Sequence, residues 1–308
     1  MSDLRAEPLS PIDAATLWPQ LHRLSTEVIA TRAGENLLVS SGLAATGITR
    51  LPRVPRTAVL GVKRGLGYRG VAVARELAGG AGWEAVSVRI ARDKDDEAVL
   101  ALLSSACREV AARGGRTVYL RYAEGSPHAS PVKQAGFMAY TLERLHALPR
   151  ARARHGETPF RPAHRPDRAG IFRLYCRAVP EHIRRQEAPS QQDWRAVVDS
   201  YDCESEWVLE QHGALAGWCA IGEREARVLH DGSMEGAASA ALDLIESHLG
   251  RSGTLVLAEH QPDLERIAAE RGYTELGTRL MCARRLAALN PLKEVSAVSA
   301  IETAPLPQ

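Results

Sequence analysis

One order of elements is written twice along this chain, and that doubling restricts its fold more than any single motif. Residues 57–62, 70–75 and 83–90 are short runs rich in β-branched residues, broken by glycines, which reads as an antiparallel meander. A polar loop over 91–97 follows. Then come a helix over 98–113, a strand over 117–122, a short helix over 126–135 and a closing strand over 138–145 that begins just after Gly136-Phe137. The second half repeats the series: helices over 167–179 and 191–200, strands over 206–210, 215–221 and 226–230, and a loop over 231–236. After these come a helix over 237–249, a strand over 254–258, a helix over 262–271 and a last strand over 275–284, just after Gly272-Tyr273. A repeat on this scale means a duplicated domain rather than a solenoid. The parallel step from 86 to 122 needs a crossover, which the 98–113 helix supplies.

The 308 residues suffice for two such domains, each with its own core. Expected boundaries are 1–146, a basic linker at 147–157, a second domain at 158–287 and a disordered tail at 288–308. Leu17, Leu21, Leu24, Val28 and Ile29 recur at helical spacing, so 14–29 is expected to be a helix. With no long apolar run and no signal-like start, a cytoplasmic protein is expected. Five cysteines without a Cys-x-x-Cys pair support neither a zinc site nor a disulfide framework, and no metal is expected. A net charge of +2 argues against nucleic acid as the main partner. The arginines between Arg144 and Arg168 alternate with Pro149, Pro159, Pro162 and Pro166. That stretch reads as a linker, with an anion- or RNA-binding arm as the alternative.

A meander followed by β-loop-helix, strand, short helix and Gly-Phe or Gly-Tyr resembles the GNAT superfamily of acyl-CoA N-acyltransferases, here as a tandem pair covering nearly the whole chain. The family-like stretches are 116–137, 158–167 and 254–273. The resemblance implies an α+β fold of two GNAT-like domains, each a mostly antiparallel mixed sheet flanked by helices. It implies acetyl-CoA or another acyl-CoA as co-substrate, and a small-molecule or peptide amine as acceptor. In that family the fourth strand splays from the fifth and binds the pantetheine arm, and the following loop and helix N-terminus hold the pyrophosphate through backbone N–H groups.

Carried over residue by residue, the resemblance places cofactor contacts in the second half at Val228, Leu229, His230, Ser233, Gly236, Ala237 and Ala238. Gly236 and Ala238 keep the small residues of the family's phosphate loop, and Ser233 replaces its Gln or Arg. The first-half counterpart, Asp93-Lys-Asp-Asp-Glu-Ala98, sets Asp96 where glycine belongs; its carboxylates would repel a pyrophosphate and serve as helix caps. The tyrosine acid that many members carry four residues before the closing glycine is absent, those positions being Val132 and Ala268. Catalytic candidates are Glu225 and His230, with Glu210 and first-half Glu84 behind them. The acceptor is expected to meet segments 32–56 and 181–192, the latter carrying Arg184, Arg185 and Glu187. Against an active transferase stands a binding or scaffold protein that kept the fold and lost the chemistry.

Overall fold

In the computed structural model, residues 4–10, 13, 17, 23–31, 56–65, 67–149, 158–234, 236–249 and 252–286 are described. They form thirteen strands and seven helices. The first half contains β1 (Glu7–Pro8), β2 (Thr26–Ala30), β3 (Thr57–Arg64), β4 (Gly67–Glu76), β5 (Gly82–Ile90), α1 (Asp96–Ala112), β6 (Thr117–Ala123), α2 (Ala129–Gln134) and β7 (Met138–Ala147). The second contains β8 (Arg161–Pro162), α3 (Arg168–Ala178), α4 (Glu181–Glu187), α5 (Gln191–Asp199), β9 (Ser205–Gln211), β10 (Ala214–Ile221), β11 (Glu225–His230), α6 (Ala237–His248), β12 (Thr254–Ala258), α7 (Pro262–Glu270) and β13 (Thr274–Arg285). The meanders, crossover helices and closing strands lie where the doubled pattern puts them.

The helix expected over 14–29 resolves differently where it is described. Thr26–Ala30 is a strand, not the end of a helix: Val28 and Ile29 are β-branched, and an exposed strand edge lies beside them for pairing. Most of 14–22 falls outside the described residues, as do the linker at 150–157 and the tail from 287 onward. Of the basic stretch, Arg144 is paired with Glu265 and Arg161 with Asp167. All five cysteines are free thiols, three of them buried.

The Gly-aromatic closures are helix-ending devices. Gly136 (φ +81°) and Gly272 (φ +84°) adopt the left-handed conformation that favours glycine. The next amide reaches back across the last turn, Phe137 N–H to Val132 O and Tyr273 N–H to Ala268 O. The aromatic ring then enters the core, Phe137 under α1 and Tyr273 under α6. Val132 and Ala268 are buried on the same turns, where a tyrosine hydroxyl would have no outlet.

All thirteen strands join one continuous sheet, in the order β1-β3-β4-β5-β6-β13-β7-β12-β11-β10-β9-β8, with β2 added beside β5. The halves exchange their last strands. Second-half β13 pairs with first-half β6 from Arg279↔Ala123 to Arg285↔Thr117, first-half β7 pairs with second-half β12, and β7 and β13 pair with each other. One apolar core packs α1 and α2 on the first half of the sheet, a second packs α6 and α7 on the other half, and a third packs α3, α4 and α5 on the opposite face of the second half.

Candidate functional site

Each half contains one parallel pair of strands that runs together and then parts, with opposite consequences. In the first half β5 and β6 pair only at Gly82, Trp83 and Glu84. Beyond that point β2 lies on β5, Thr26 against Ile90 and Ala30 against Ser87, and Thr31 N–H donates to Val86 O. The backbone groups that a splay would offer to a ligand are spent on β2. The acidic loop behind it is also occupied. Asp95 caps α1 through Ala98 N–H and receives a bidentate pair from Arg69, Asp93 accepts from Thr26, and Asp96 faces His128 at 3.3 Å.

In the second half β11 and β12 pair at Glu225, Ala226 and Arg227 and then separate. Val228, Leu229 and His230 remain bonded only to β10, so their other edge is open. At the mouth of this gap Gly236, the N-cap of α6, has φ +75° with nothing within 4 Å of where a Cβ would stand. Ala237 and Ala238 supply the first-turn amides that no i−4 carbonyl can accept. Ser233 is already engaged: its N–H and hydroxyl both donate to Asp231, whose carboxylate also receives Arg177 at 3.0 Å. The loop thus offers backbone and α6 amides, not a free serine.

His230 is 6% exposed, and burial lowers its pKa. Nearby His260 is pulled down to about 4, chiefly by burial. Nδ1 of both rings and Nε2 of Gln261 find no partner among the described residues. Three buried nitrogen atoms around one gap without a partner among the described residues suit a polar ligand.

On the α3–α5 side the gap opens into a cavity of about 50 Å³, bounded by Val228, Leu229, Val256 and Ala258 of the splayed strands and by Tyr175, Glu187, Trp194 and Trp218. Glu187 ends α4. It accepts from the Tyr175 hydroxyl at 2.9 Å and the Tyr140 hydroxyl at 3.4 Å, while Tyr119 holds its backbone carbonyl at 2.8 Å. Burial raises its carboxyl to about 7, helped by the charge of Glu143 and opposed by the tyrosine hydrogen bonds and Arg121. A carboxyl poised there exchanges protons at neutral pH. Sequence reasoning placed Glu187 in an acceptor segment without giving it a role. The available signal was its spacing from Ile183, four residues earlier, which puts both on one buried helical face.

Glu225 is positioned differently. It begins β11 at the paired end and takes Arg227 and Arg279 at 3.0 Å each. Burial works against its charge, but the two guanidiniums hold its pKa at about 2. It has little appetite for a proton at neutral pH. It belongs to a buried layer where Arg227 and Arg279 also meet Glu143, and Arg75 and Arg121 meet Glu84. Glu84 is therefore an ion-pair partner too. Glu210 lies at the far sheet edge, 3.6 Å from Arg161.

No family model matches the chain, and no curated protein matches it in sequence. Solved structures do. A GCN5-related N-acetyltransferase from Sphaerobacter thermophilus superposes with a TM-score of 0.51 at 12% identity, covering 92% of this chain and 96% of that one. A candidate acetyltransferase from Pyrococcus horikoshii superposes with a TM-score of 0.52 at 9% identity, covering 94% and 91%. A tandem GNAT protein of clavulanic acid biosynthesis aligns at 13% identity over 91% and 98%, with a TM-score of 0.49. Likeness at this level of identity is a likeness of fold. The fold is that of the GNAT acetyltransferases, α+β, over nearly the full length of the chain. Among the described residues no helix is long and apolar enough to cross a membrane, and no cluster of metal-ligating side chains occurs.

Proposed function

We propose that this chain, having the GNAT fold, is an acyl-CoA-dependent N-acyltransferase whose second half binds the acyl-CoA. The observation that carries the reading is the open splay of β11 from β12 ending at Glu187, a buried carboxyl with a pKa of about 7. The pantetheine arm lies along Val228, Leu229 and His230, and the pyrophosphate rests on the amides of Gly236, Ala237 and Ala238. Placing it there uses two features at once: the N-terminus of a twelve-residue helix and the open space around Gly236. The co-substrate is acetyl-CoA or a related acyl-CoA.

Glu187 is the general base in this reading, taking the place first given to Glu225, and His230 lines the pantetheine channel. The acceptor amine attacks the thioester carbonyl directly. A C–N bond forms, the C–S bond breaks, the electron pair leaves with the CoA sulfur, and the ammonium proton passes to Glu187. Tyr175 and Tyr140 fix the carboxylate by donating to it, and burial keeps both hydroxyls protonated. The first half, its splay filled by β2, supplies framework and one wall of the site.

Calorimetry with acetyl-CoA, paired with Glu187→Gln, tests the proposal. The wild type binds and transfers. Glu187→Gln binds equally but loses about 10²–10⁴ in kcat, the usual worth of a positioned base. No heat and no thermal stabilisation at about 1 mM ligand would sink the transferase reading and favour a scaffold protein.

A further inference from the structure

A second cavity, of about 320 Å³, lies where the halves meet, bounded by Arg75 and Ala78 of the first half and by α3, α5 and the start of β9. That is the lower end of the usual range for small-molecule sites. Trp194 is shared: it lines this cavity and the Glu187 cavity, and its ring stacks on Tyr175, the residue bonded to Glu187, at 4.2 Å between centroids.

Its lining carries three arginines, Arg75, Arg168 and Arg195, and three carboxylates, Asp199, Asp202 and Glu206. At the bottom Arg75 is 7% exposed, donates to Asp199 O at 2.8 Å and to the Asp199 carboxylate at 3.4 Å, and keeps an Nε–H without a partner among the described residues. At the rim, exposed Arg168 and Arg195 have neither ion-pair nor hydrogen-bond partner among the described residues. Glu206, by contrast, is occupied by the Trp218 indole at 2.8 Å. The guanidiniums of Arg168 and Arg195 are therefore open to an anion. Trp194, Ile171 and Val198 supply apolar wall for the rest of a small molecule.

We infer that this interhalf cavity is the acceptor subsite and that the acceptor is a small amine of amino-acid type. Its carboxylate is held by Arg168 and Arg195, and its amine is directed past Trp194 toward Glu187. The inference rests on the acyl-transfer reading for the fate of the amine, but not for the binding of the anion.

Binding and transfer are therefore measured apart. The full chain without acyl-CoA is titrated with the twenty L-amino acids and with 1,5-diaminopentane, which is lysine without its carboxylate, following tryptophan emission and heat. At least one amino acid is expected to bind and to perturb the emission through Trp194, with 1,5-diaminopentane weaker than lysine. Arg168→Gln/Arg195→Gln is expected to weaken that amino acid about tenfold or more, as for loss of a charge-assisted hydrogen bond, with melting temperature unchanged and Arg168→Lys/Arg195→Lys partly restoring binding. Failure of every amino acid to bind up to about 10 mM overturns the subsite, as does an unaffected double Gln variant. Amino-acid binding without acyl transfer upholds the subsite and removes the transferase reading. Acyl transfer that ignores the carboxylate does the reverse.

Discussion

Glu187 is buried and Glu225 half-buried in the same half, and their proton affinities are driven apart by what faces them. Glu225 meets two guanidiniums and stays ionised; Glu187 meets tyrosine hydroxyls and the negative charge of Glu143, and is left near 7. If Glu187 is the base, kcat rises as pH passes through about 7, and Glu187→Gln abolishes that limb of the profile. The same shift has a stability consequence of definite sign. A carboxyl whose folded pKa lies above its unfolded value of 4.5 favours folding fully below about 4.5, and that contribution is lost as pH rises to about 7. The loss is on the order of 3 kcal/mol. Glu187→Gln should therefore be more stable than wild type at pH 8 and show no such advantage at pH 4, which urea unfolding at the two pH values would measure. Equal differences at both would mean that the carboxyl titrates in its normal range. The chemistry of Glu225 could not be read from the sequence because Arg279, which helps hold it, lies 54 positions away.

At the scale of elements, the two splays began as equivalent positions in a repeated pattern and were put to different uses. The sequence distinguished them at the loops, by Gly236 against Asp96, and the structure adds a reason unrelated to charge: β2 is hydrogen-bonded along β5 where a pantetheine arm would lie. Gly236→Asp should abolish acetyl-CoA binding by adding a carboxylate at the pyrophosphate position. Asp96→Gly should leave binding unchanged, at about 1 kcal/mol of stability for a glycine in the first turn of α1. Calorimetry of both variants decides between the halves, and the reverse pattern would move the site to the first half. The meanders, α1, α6 and both closing helices were legible because each carries its own period, cap or glycine. The strand β2 was not, since Val28 and Ile29 fit a helical face as well as a pleated one until β5 is known to need a partner. α4 was missed for a similar reason: seven residues with one buried aliphatic side chain, Ile183, give too short a period to detect.

For the whole molecule the exchange of closing strands overrides the picture of two self-contained domains joined by a linker. Local pattern shows that β7 and β13 are strands; nothing in either strand says which half it completes, because the two halves present equivalent gaps. The exchange is nonetheless well anchored. β7 runs between β12 and β13 and so has no first-half strand as a neighbour, and β13 has β6 on its other side. The buried layer follows the same seam: Glu143 of β7 is paired with Arg227 of β11 and Arg279 of β13, and Arg121 of β6 donates to the Ser200 carbonyl of the second half. Cutting the chain between the halves therefore does not yield two domains. A fragment ending at 157 would hold β7 with neither of its sheet neighbours, its backbone groups unpaired on both edges and its Glu143 without Arg227 and Arg279. Expressed alone, fragments 1–157 and 158–308 should be insoluble or show no cooperative melt; co-expressed, they should assemble into a single heterodimer with one transition near that of the intact chain. Two independently melting fragments would show that the strands can return to their own halves. A single cooperative heterodimer would instead show that the duplicated sequence folds as one sheet, whose candidate site is complete only when both copies are present.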